Sequence, residues 1–218
     1  MAMNENNNKR QYTQYKRHVN DSGERVNAQT VNALQEDLNV AQQETNDVKD
    51  KAFEERVYTI LENNLYCNAC SIDYFRDGKK INVTDSNNIC ILDKTSQVSL
   101  QDRTQPGEFK SVRIYSPHGA DIEMNDFFLV TSQEVPVGAS IKYYLEMYTG
   151  ERWPIEANQI KLPLHLTKNI TNGFVLVADL VPNHLNEYPV LNGYAVLYWD
   201  AQVEANYGLT NPDLMRFP

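Results

Sequence analysis

From Val26 to about Leu65 the chain is glycine-free, and its apolar residues recur at alternating three- and four-residue steps. Val31, Leu34, Leu38, Ala41, Thr45, Val48 and Ala52 keep the spacing of a left-handed helical supercoil. After Ala52 the stripe shifts by one residue and continues through Phe53, Val57, Ile60, Leu61 and Leu65. That shift reads as a skip in the heptads or a break between two helices. The remaining positions are mostly Gln, Asn, Glu and Asp, which suit water.

A helix this polar is marginal in isolation, so its stripe needs a partner. The partner is either the β domain of the same chain or other copies. Ala41, Thr45 and Ala52 give little apolar area per layer, so the seam is thin. The expectation is self-association into a parallel bundle, with a trimer preferred. Its seam is formed by Val31, Leu34, Leu38, Ala41, Val48, Phe53, Val57 and Ile60.

From residue 73 onward the period falls to two. Strands are expected at residues 81–84, 89–92, 98–101, 109–116, 127–134, 140–148, 159–165, 174–180 and 190–199. Turn sequences separate them, among them Gln105-Pro106-Gly107, Thr149-Gly150 and Thr171-Asn172-Gly173. Spacings near ten residues without intervening helix predict an antiparallel β-sandwich. Alternation places Ile141, Tyr143, Leu145 and Met147 inside, with Lys142, Tyr144 and Glu146 facing out. Phe174, Leu176, Ala178 and Leu180 form a second inward set. Residues 194–199 are apolar on both faces, so that strand is central or is covered from outside by another subunit.

The fold class expected is therefore mainly β. It is a jelly-roll-like antiparallel β-sandwich, preceded by a long coiled-coil-like helix and a polar arm. The divisions are a polar, basic arm at residues 1–25, a helical oligomerisation segment at 26–68 and the sandwich at 73–218. The arm carries Lys9, Arg10, Lys16 and Arg17 among asparagines, with Tyr12, Tyr15 and Val19 as anchors should it order on an acidic neighbour.

A net charge of -9 argues against general nucleic-acid binding. No apolar run is long enough to span a bilayer, and no signal peptide is expected at the start, so folding in a cytoplasm is the expectation. Three cysteines fit that compartment. Cys67 and Cys70 form a C-x-x-C pair, a weak metal candidate because structural zinc needs about four ligands. Buried free thiols are the expected state, and no cofactor is expected.

Four histidines lie in unrelated contexts, and no nucleophile elbow or phosphate-binding loop is present. Asp121, Glu123, Asp126, Glu134 and Glu146 read as solvated surface, because a glycosidase needs two carboxylates across a cleft. Enzymatic activity is not expected. Trp153 beside Pro154 reads as core filler, or as a sugar-stacking platform with Tyr144 and Tyr148.

One stretch carries a resemblance. Gly138-Ala139-Ser140-Ile141-Lys142-Tyr143-Tyr144 leads into Thr149-Gly150 and Trp153-Pro154-Ile155. Ala178-Asp179-Leu180 follows, then Pro189-Val190-Leu191-Asn192-Gly193-Tyr194-Ala195-Val196-Leu197-Tyr198. This order resembles a domain recurrent in structural proteins of tailed-bacteriophage tails and baseplates, over roughly the last third of the chain. The resemblance implies a β-sandwich in a virion appendage, with virion localisation after assembly in the host cytoplasm. It implies that other virion proteins are partners, reached through the basic arm. The alternative expectation is a host-surface carbohydrate-binding module with a cell-surface glycan as its partner.

Overall fold

The computed structural model describes residues 28–92, 96–119, 121, 123–167 and 170–202. The basic arm lies outside these residues, as does the side chain of Val31. The chain forms two compact units, one ending at Glu44 and the other beginning at Thr45.

Among the described residues one α-helix, α1 (Ala28–Glu62), runs for 35 residues, about 52 Å at the usual rise. The described residues of the first unit are all helical. Leu34 is partly buried there and Leu38 is 65% exposed. Among the described residues no helix is long and apolar enough to cross a membrane.

Among the described residues the second unit holds nine strands in two antiparallel sheets. The first sheet contains β1 (Ala69–Asp73), β2 (Ile89–Leu92), β3 (Gln97–Leu100), β5 (Met124–Glu134) and β9 (Val190–Asp200). The second runs in the order β4 (Gly107–Lys110), β8 (Phe174–Val181), β6 (Ser140–Met147) and β7 (Arg152–Ile155). β9 is the spine of the first sheet. β5 pairs with it from Glu134↔Val190 to Met124↔Asp200, while β1 and β3 share its other edge.

Alternation decides what lies between the sheets. Phe127, Leu129, Val196 and Tyr198 meet Leu145, Phe174, Leu176 and Leu180, all nearly or wholly buried. Phe127 and Phe174 pack edge to face with centroids 5.3 Å apart, a favoured aromatic arrangement. The inward sets expected on β6 and β8 are the ones observed, with Ile141 and Met147 packed at the margin.

The opposite face of the first sheet presents Phe128, Val130, Ala195 and Leu197, all buried. Phe53 and Val57 of α1 cover them, together with Cys67, and Ile60 and Leu61 pack at the rim. Complete burial of such side chains is worth about 1.5–3 kcal/mol each. This corrects the seam assigned to the helix. Phe53, Val57 and Ile60 pack on their own chain's sheet, because β9 is apolar on its outer face as well. The strand is thus both central and covered, and its cover is intramolecular.

Polar contacts hold the helix in place. Arg76 meets Asp47 at 2.8 Å and Asp50 at 2.5 Å, Arg56 donates to Asn158 at 3.0 Å, and Phe53 lies edge-on to Tyr74.

Several strand boundaries differ from expectation. Residues 81–84 contribute a lone bridge, Ile81↔Ser111, followed by a turn. Residues 159–165 run irregularly along the free edge of β5, touching it at Leu164, because Pro163 has no N–H for a ladder. β1 and β7 occupy stretches for which no strand was expected. The β6–β7 hairpin closes with Gly150 at φ +82°, its N–H bonded to the Met147 carbonyl at 3.0 Å. That left-handed residue after a tight turn is what a three-residue hairpin loop requires.

Candidate functional site

The outer face of the second sheet gathers the chemistry of the sandwich. In an antiparallel pair, residues directly opposite share a face. Glu108, Asp179 and Lys142 therefore form one row across β4, β8 and β6. Lys110, Val177, Tyr144 and Pro154 form the next, and Val175, Glu146 and Arg152 the third.

Four of these side chains close a ring of alternating charge. Lys110 contacts Glu146 at 3.0 Å and Glu108 at 3.7 Å, while Arg152 contacts Glu146 at 2.8 Å and Glu108 at 2.7 Å. Val177 is fully buried and Val175 nearly so, although both point outward from the sandwich. The long side chains of the ring shelter apolar surface while their charged ends pair.

The ring sets its own protonation. Burial works to raise the Glu146 pKa, but hydrogen bonds from Lys110 and Arg152 outweigh it, and the carboxyl is held below its usual range. Arg152 is raised, chiefly by its hydrogen bond to Glu108. Asp179 is pushed up, first by burial and then by the neighbouring Glu108 carboxylate.

The three aromatics singled out in the sequence do not form one platform. Trp153 stands opposite the buried Leu145 and packs against the interior, whereas Tyr144 stands opposite Pro154 on the outer face. Tyr148 is 72% exposed beyond the end of β6, with the Arg113 guanidinium 5.7 Å from its ring centre. The hairpin register pairs Trp153 with the inward-facing Leu145 and not with Tyr144, so these two rings lie on opposite faces of the sheet.

Cys67 is buried, and its thiol donates to the Asp126 carbonyl at 3.1 Å. Burial first, and Asp126 second, raise its pKa. Cys70 is partly buried against the helix-covered face and is also raised, mainly by burial. No group of three His, Cys, Asp or Glu placed to hold a metal ion is found among the described residues. The carboxylates noted in the sequence are dispersed. Asp126 and Glu134 sit near opposite ends of β5, Glu146 belongs to the second sheet, and Asp126 pairs with His165 Nδ1 at 2.7 Å.

Beside the charged ring lies an open groove of about 370 Å³. Tyr144 and Lys142 from β6, Pro154 from β7, Glu156 and Gln159 beyond it, and Gln133 from β5 line it. The Gln133 carbonyl accepts hydrogen bonds from Tyr143 and from Thr131, the latter at 3.0 Å. That double contact fixes the amide with its NH₂ as the donor. Outward alternation of Lys142 and Tyr144 was the legible signal for this groove. The contributions of Gln133, Glu156 and Gln159 depend on how the two sheets meet.

No protein-family model matches this chain, and no curated protein matches it.

Proposed function

We propose that this chain is a structural part of a bacteriophage virion appendage, in the tail, baseplate or neck. It self-associates through α1 and presents the sandwich as a spacer, clamp or fibre attachment. The carrying observation is that α1 has two apolar faces offset by one residue. Phe53 and Val57 are buried on the sheet, while Leu38 and Val48 of the preceding stripe are 65% and 68% exposed. Docking on the chain's own sheet thus leaves the heptad stripe to a second copy. The tail-protein-like order of motifs from Gly138 to Tyr198 supports the assignment to a virion.

Two measurements test this. Light scattering on the purified protein is expected to give a trimer, and the Leu38→Glu, Val48→Glu double variant a folded monomer. A wild-type monomer at all concentrations refutes the self-association. Mass spectrometry of purified phage particles encoding this chain is expected to find it in stoichiometric amount, and its absence from particles refutes the virion role.

A further inference from the structure

We infer that the groove beside β7 is a binding site for a neutral saccharide. Its chemistry carries the assignment. Tyr144 supplies an aromatic side chain on the outer face with Pro154 directly opposite, apolar surface of the kind that accepts the C–H face of a pyranose. Gln133 and Gln159 supply amides at the wall, and the Gln133 carbonyl is already engaged, so its NH₂ is offered as a donor to hydroxyls. Lys142 and Glu156 contribute one positive and one negative charge, so the lining has no net charge to recruit an anion. A volume near 370 Å³ falls within the range of small-ligand sites.

The backbone argues against the other natural occupant, an extended peptide added to the sheet edge. Met147 N–H bonds to the Glu151 carbonyl, which makes Arg152 and Pro154 the residues whose backbone groups point to the open side of β7. Pro154 has no N–H, so a peptide strand laid there lacks one of the two donors its ladder needs. The saccharide uses side chains and not the edge, and Pro154 does not hinder it. This site is independent of self-association through α1, so either conclusion stands if the other fails.

The test uses the full chain, isotope-labelled and titrated with maltotetraose, cellotetraose and N-acetylchitotetraose, followed by amide resonances. A heparin tetrasaccharide and a short unstructured peptide are titrated in parallel. At least one neutral tetrasaccharide is expected to shift the amides of Tyr144, Ala157 and Gln159. Tyr144→Ala weakens that binding by at least about tenfold, as loss of a central aromatic contact does. Tyr144→Phe retains it, and Tyr148→Ala leaves it unchanged. Gln159→Ala also weakens it, which keeps the test decisive should Tyr144→Ala not fold. Absence of shifts with all three neutral probes overturns the inference. So do shifts that map elsewhere, unchanged affinity in both groove variants, or binding of the peptide or heparin probe alone.

Discussion

Replacing Phe53 with alanine tests whether α1 is part of the folded core. Phe53 is 7% exposed, rests against the sheet residues Phe128 and Leu197, and meets Tyr74 edge-on at 6.0 Å. Truncating a core phenylalanine costs about 3–5 kcal/mol, part of it for the cavity left behind. Here one wall of the cavity is a helix that can settle inward, which puts the expected loss near the low end, about 3 kcal/mol. The ion pairs of Arg76 are half exposed and offset no more than about 1 kcal/mol of it. The loss therefore falls first on residues 50–62, which detach while the sheets persist. Hydrogen-exchange mass spectrometry reads this directly. Amides of that segment are expected to exchange about a hundredfold faster, while those of β8 and β9 change little. A loss below about 1 kcal/mol in urea unfolding, with unchanged exchange in α1, refutes the docking.

Two further outcomes follow from local geometry. Asp179 has a raised carboxyl pKa, so its ionised form opposes folding. That penalty is absent below the unfolded value, about 3.9, and grows as pH rises through the raised folded value. Asp179→Asn should then raise stability at neutral pH by a fraction of about 1 kcal/mol, with the gain vanishing in acid; a pH-independent difference between the two melting curves refutes it. Gly173 has φ +67°, and an added Cβ would sit 2.2 Å from the Ile114 carbonyl oxygen, whereas Gly150 has φ +82° and open space. Gly173→Ala is expected to cost about 2 kcal/mol or more and Gly150→Ala about 1 kcal/mol, compared by thermal unfolding, and equal costs would show that the close approach is immaterial.

The two-residue period was enough to identify β6 and β8 and to orient their side chains, because each is long and its inward positions are apolar, whereas β9, apolar on both faces, was identified without being oriented. β7 escaped because a four-residue strand containing Pro154 carries no readable alternation, and proline is tolerated there only because β7 is an edge. β1 escaped for a different reason. Its sequence Ala69-Cys70-Ser71-Ile72-Asp73 comes six residues after the helix and is held by the other edge of β9, a partner more than a hundred residues away. The groove was legible only in part. Tyr144 and Lys142 announce an outward face, but nothing in the sequence places Gln133 of the first sheet beside Gln159 and Glu156, since that neighbourhood exists only once the sheets are stacked.

The one-residue shift after Ala52 acquires a physical meaning from these packings. Asn46, Asp50, Phe53, Val57 and Ile60 recur at steps of four, three, four and three, and they form the face turned to the sheet. Val48 and Ala52 lie about 100° or more round the helix from this face and remain exposed. The exposed stripe and the docked face do not coincide, because each residue of offset turns the apolar face by about 100°. The shift lets one helix present two faces in succession. The docked face begins with Asn46 and Asp50, polar residues that hydrophobic periodicity passes over, and Asp50 is held there by Arg76. The free stripe carries the larger side chains Leu34, Leu38 and Val48, and ends as the docked face becomes apolar. A break in heptad register is therefore the place where the helix passes from a stripe left exposed to a face covered by its own chain's sheet.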